Sequence, residues 1–115
     1  MKIKVSDLEG AQLDYWVAQA LGERVELRED GRCCLEGVNA AYDPSTDWCL
    51  AGPIIQQNII SLTYSVPLSK WYASLAAPSH CFCSAVGETP LIAAMRMFVI
   101  LKWGSEFELE ELKTI

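Results

Sequence analysis

Thr89-Pro90-Leu91-Ile92-Ala93-Ala94-Met95-Arg96-Met97-Phe98-Val99-Ile100-Leu101-Lys102-Trp103 is the segment around which the rest of the chain has to be arranged. Threonine offers a side-chain oxygen to the first free amide groups of a helix. Proline at the next position brings a φ already suited to the first turn. Gly104 supplies the stop. Within 91–103 only Arg96 and Lys102 are charged. A helix with almost no polar face is buried, in a core or in a subunit interface. The apolar run 91–101 is too short to span a bilayer, which takes about 20 residues.

Working outward, Lys70 to Leu75 and Cys81 to Val86 read as strands joined by Ala76-Ala77-Pro78-Ser79. The β-branched run from Ile54 to Ser65 also reads as strand, interrupted by Gln56-Gln57-Asn58 and ended by Pro67. Gly52-Pro53 is a break before it. Nearer the start, Leu13, Trp16, Val17, Ala20 and Leu21 recur at amphipathic helical spacing, and Gly22 ends that pattern. Ser6 and Glu9 have the spacing of a capping box, so this first helix is expected over about 7–21, with Gly10 weakening its start. Arg24 to Arg28 alternates, Asp30-Gly31 suits a type I′ turn, and Cys33-Cys34-Leu35 is the returning strand. Lys2 to Val5 and Glu106 to Glu110 alternate as edge strands. No repeat or linker appears. The expectation is α+β: a single compact domain over residues 1–115, with an antiparallel sheet packed with two helices.

Composition narrows the function classes. The chain has 115 residues, 51% hydrophobic and 21% charged, which excludes disordered and low-complexity classes. Fifteen acids against nine bases give a net charge of −6, so direct nucleic-acid binding is not expected. The first residues lack the apolar run of a signal peptide, and no membrane association is expected. Five cysteines, an odd count, then read as reduced cytosolic thiols.

Candidate chemistry is sparse. His80-Cys81-Phe82-Cys83 with Cys33-Cys34 invites a zinc reading, but Cys-x-Cys spacing and the opposed faces of adjacent strand residues argue against it. No metal and no cofactor are expected. His80 is the only histidine, and no nucleophile motif accompanies it. Asp43 and Asp47 suit acid–base work if buried together, but turn chemistry is the favoured explanation because it accounts for them without function. Trp16 and Trp103 belong to the core by helical phase, whereas Trp48 follows a polar turn and suits a cleft. Arg96 must reach water, a carboxylate (Asp14, Asp43 or Asp47) or an anionic ligand. Tyr42, Ser45, Thr46, Asp47, Trp48 and Arg96 are therefore read as one ligand-binding site, with no catalytic residue assigned.

Three segments carry a resemblance: Gly10-Ala11-Gln12-Leu13-Asp14-Tyr15-Trp16-Val17-Ala18, residues 42–55 (YDPSTDWCLAGPII) and residues 87–96 (GETPLIAAMR). In this order and spacing the chain resembles the NinX-like family of small phage and prophage proteins. That family is richer in glycine after its Asp-Trp pair than Cys49-Leu50-Ala51-Gly52. The resemblance implies an accessory phage protein acting in the cytoplasm of a bacterial host. The expectation is a non-enzymatic binding module, homo-oligomeric through the apolar helix, engaging a host protein or a small anionic, nucleotide-like metabolite. The alternatives are a small hydrolase or nucleotide-processing enzyme using Asp43 and Asp47, and an acidic decoy of a DNA-binding protein carried by Glu106, Glu108, Glu110 and Glu111.

Overall fold

Local signals place most elements in the computed structural model of the chain, which describes residues 2–38, 40–75 and 84–108. In chain order these are β1 (Lys2–Lys4), a 3₁₀ turn (Val5–Asp7), α1 (Gly10–Leu21), β2 (Val25–Leu27), β3 (Cys33–Leu35), α2 (Trp48–Asn58), β4 (Ile60–Ser65), β5 (Lys70–Leu75), β6 (Ser84–Gly87), α3 (Pro90–Trp103) and β7 (Glu106–Glu108). The class is α+β. Among the described residues every strand pairing is antiparallel, in three separate sheets: β1-β7, β2-β3 and β4-β5-β6. No helix among the described residues is long and apolar enough to cross a membrane.

The helix α3 forms where its start signals put it. Thr89 Oγ1 accepts the Ile92 N–H at 3.1 Å, and Pro90 occupies the first turn. Leu91, Ala93, Ala94, Met95, Met97, Phe98 and Val99 are buried. The helix packs on β4, β5 and β6, and also on α1 and α2. Its apolar surface is thus covered largely within one chain, and the subunit interface expected along it is not needed for that purpose. Trp16 of α1 closes one end of this core, edge-on to Trp103 and Phe107 at centroid distances of 5.6 and 5.1 Å. A smaller cluster of Ala18, Val25, Cys33 and Tyr42 lies beneath the β2-β3 hairpin.

Three expectations need correction. The described residues hold three α-helices rather than two, because 54–58 belong to α2 and strand begins only at Ile60. Asp47 caps α2 by accepting the Cys49 N–H at 2.9 Å. Buried Ala51 and Ile54 then face the core, and exposed Pro53 loses its amide bond on the solvent side. Burial against α3 outweighs the β propensity of isoleucine. Ile59, at φ 52°, closes the helix and turns the chain into β4.

The capping box of Ser6 and Glu9 is absent. Ser6 lies in the 3₁₀ turn, and Glu9 stands at the N-cap of α1 with no side-chain bond to it. Leu8 and Glu9 are extended, so the chain is not helical before Gly10. The β2-β3 turn also differs from type I′. Only Gly31 has positive φ, the Gly31 N–H donates to the Arg28 carbonyl at 2.9 Å, and the Arg28 N–H donates to Arg32 at 2.8 Å. That is a three-residue loop with a glycine bulge. Of the expected strand from Cys81 to Val86, residues 81–83 lie outside the described residues, as do His80, Glu110 and Glu111.

Strand β6 meets α3 so closely that Gly87 has no room for a side chain. A Cβ there would stand 2.5 Å from the Ala93 nitrogen and 2.9 Å from Ile92 Cγ2. Because one clashing group is main chain, relief requires β6 and α3 to separate. Gly87→Ala is expected to destabilise the fold by about 1–3 kcal/mol, the usual cost of overpacking. Urea denaturation read by circular dichroism checks this, and an unchanged midpoint would refute it.

Candidate functional site

Arg96 is half-buried on α3, and its nearest partners are two main-chain carbonyls. Its Nε donates to Leu8 at 3.0 Å and its Nη1 to Val86 at 2.7 Å. The Leu8 carbonyl lies in the extended link between the 3₁₀ turn and α1, and the Val86 carbonyl belongs to β6. Among the described residues no aspartate or glutamate stands within 4.0 Å of the guanidinium, so the expected pairing with Asp14, Asp43 or Asp47 is not made. Carbonyl oxygens satisfy N–H groups but leave the positive charge uncompensated.

That charge lines a cavity of about 410 Å³ shared with Lys4, Ser6, Lys70, Ser84 and Ser105. Glu88 and Glu106 line it too. Glu88 is tied to Lys70 Nζ at 3.4 Å, and Glu106 to Lys2 Nζ at 3.6 Å. The cavity therefore combines two ion-paired glutamates with Lys4, Arg96 and three serines. That donor set suits a small anion.

The 42–48 loop lies elsewhere and does not share this cavity. Tyr42 is buried in the small core, where burial pushes its phenol up to about 12. Asp43 serves the turn through its main chain: its carbonyl accepts from the Thr46 and Asp47 N–H groups at 3.0 and 2.9 Å. Asp47 caps α2. Ser45, Thr46 and Trp48 line a second cavity of about 260 Å³ with Thr89, Pro90, Leu91 and Ile92. Trp48 is 56% exposed at its edge. The six residues read as one site thus divide into a guanidinium in one cavity, three loop residues in another, and two residues in structural positions.

Asp14 has a larger part in the structure than that of a candidate partner for Arg96. Asp14 on α1 is 3% exposed and accepts the Ser45 N–H at 2.8 Å, strapping the loop to the helix. Its place in the helical pattern beside buried Leu13, Val17 and Ala18 is the signal that points inward. Desolvation raises its carboxyl to about 6, against the lowering effect of its bonds from Ser45, and the charge of Asp43 adds to the rise. Burial likewise pushes the Cys33 thiol up to about 11, with Asp14 contributing.

The pH dependence follows from that rise. Asp14 holds a proton more tightly folded than unfolded, so its contribution to stability is fully present below about 3.8 and is lost as pH rises through about 6. Asp14→Asn keeps an oxygen for the Ser45 N–H and removes the buried charge. The variant is expected to melt higher than the wild type at pH 7, with the difference vanishing by about pH 4. Thermal denaturation across that range checks it, and equal melting at pH 7 would refute it.

No curated protein matches the chain. The family model described as bacteriophage P22 NinX matches residues 4–102, a span from the end of β1 through nearly all of α3 that takes in the Asp14–Ser45 strap, the Trp48 loop and the Arg96 cavity except for Ser105 and Glu106. The chain belongs to the bacteriophage P22 NinX family.

Proposed function

We propose that this phage accessory protein is a non-enzymatic binding module of the host cytoplasm, and that it holds a small anionic, nucleotide-like ligand in the Arg96 cavity. The observation that carries the reading is a half-buried guanidinium with no carboxylate partner among the described residues, lining a cavity beside Lys4 and three serines. Anchored by Nε and Nη1, the guanidinium keeps Nη2 for a ligand oxygen, and its plane is set before the ligand arrives. The hydrolase alternative draws no support from Asp47, whose carboxylate caps α2, or from Asp43, which lines neither cavity. Ser45, Thr46 and Trp48 form a separate cavity in this reading and take no part in anion binding.

The test is a thermal-shift screen with inorganic phosphate, nucleotides and small dicarboxylates. A ligand at a hundred times its Kd adds about 2.7 kcal/mol, which raises the melting temperature by several degrees in a domain of this size. Lys4→Ala, at an exposed position, is expected to melt like the wild type and to lose most of that shift. Arg96→Lys is expected to lose it entirely, because an ammonium does not reproduce the planar fork. Absence of a shift for every anion with the wild type would overturn the proposal.

A further inference from the structure

Residues 48–69 contain no aspartate, glutamate, lysine, arginine or histidine, in a chain that carries fifteen acids and nine bases. This uncharged run includes the outer strand of the largest sheet. Strand β4 pairs with β5 on one side, and among the described residues no strand pairs with its other edge. Its sequence, Ile60-Ser61-Leu62-Thr63-Tyr64-Ser65, contains no charge, proline or glycine. Natural edge strands are usually blunted by such residues, or covered. The flanks are apolar and open: Ile59 is 66% exposed, Val66 76% and Leu68 57%. We propose that the free edge of β4 is the contact surface for a second copy of this chain. The two β4 strands run antiparallel across a two-fold axis at Thr63 and join the sheets into six strands.

The side-chain pattern suits that register. Ile60, Leu62 and Tyr64 share one face of the sheet, and Ser61, Thr63 and Ser65 the other, because strand side chains alternate. Pairing about Thr63 sets Leu62 opposite Tyr64 of the partner subunit and Ile60 opposite Val66 of the partner subunit. On the other face Ser61 meets Ser65 of the partner subunit, and Thr63 meets its own copy. Apolar residues meet apolar, hydroxyls meet hydroxyls, and one strand supplies both halves, as an isologous contact requires. Tyr64 is already held edge-on to Trp71 at 5.3 Å, so the apolar half is partly preorganised. Two copies at −6 repel, and this strip lets them approach without setting acid against acid. The contact is independent of the Arg96 cavity, so it stands or falls separately from the proposed function.

Sedimentation velocity on the intact chain tests it. The wild type is expected at twice the 12.8 kDa chain mass. Thr63→Lys sets two like charges on the axis and is expected to sediment as a monomer with native circular dichroism. Thr63→Val is expected to remain a dimer. Thr63→Cys gives a second readout that does not require loss of the dimer. Cα atoms of directly opposed residues lie about 4.5–5.5 Å apart, within disulfide reach, so mild oxidation should link the two chains. The wild type, with its five cysteines Cys33, Cys34, Cys49, Cys81 and Cys83, should link more slowly under the same treatment. A wild type that sediments at the chain mass, a dimeric Thr63→Lys, or a Thr63→Cys that links no faster than the wild type would overturn the proposal.

Discussion

A helix with seven buried residues and a single internal cation sets the terms for the other elements. Covering α3 takes a three-stranded sheet along one side and two further helices against others. The sheet comes close only because Gly87 has no side chain. Arg96 then has to enter the packed structure without stranding its N–H groups. The solution is two carbonyls far apart in the chain, at Leu8 and Val86. The same requirement accounts for the extended Leu8 and Glu9. Had a capping box continued the first helix backwards, the Leu8 carbonyl would be committed within that helix and unavailable to a side chain 88 residues away.

The elements legible in the sequence are those whose signals are local. Thr89-Pro90 opens α3, Gly22 ends α1 at φ 80°, and the alternating Lys2-Ile3-Lys4 and Glu106-Phe107-Glu108 form a paired ribbon. The second helix was illegible because its signals conflict. Asp47 is a cap one residue long, while Pro53 and the isoleucines after it argue for a break and a strand. Only the need to cover α3 resolves that conflict, and it is a property of the whole chain. The site was half legible for a similar reason. The residue types say that Arg96 needs a partner. Its partners are main-chain oxygens, which leave no mark in a sequence. Asp14 is hidden in the same way, because what it holds is the amide of Ser45.

Arg96 and Asp14 are therefore solved alike, each bonded to main chain in place of an opposite charge. The consequences differ with their surroundings. An ion pair would have neutralised either group and made it electrostatically silent. Main-chain bonding leaves a net charge that responds to what comes near. Around Arg96 there is a cavity, two carbonyl anchors and neighbouring Lys4, so the remaining charge is available to an anion from outside. Around Asp14 there is packed side chain and the acidic Asp43, so its charge is opposed, and its carboxyl rises to about 6. The loop it straps carries Trp48 into solvent and Asp47 to the start of α2. Protonation of Asp14 relieves the buried charge without demanding that the strap be released, since an uncharged carboxyl oxygen still accepts the Ser45 N–H. Asp14 is thus a structural strap whose cost varies with pH, whereas Arg96 is the group whose electrostatic demand is left for a ligand to meet.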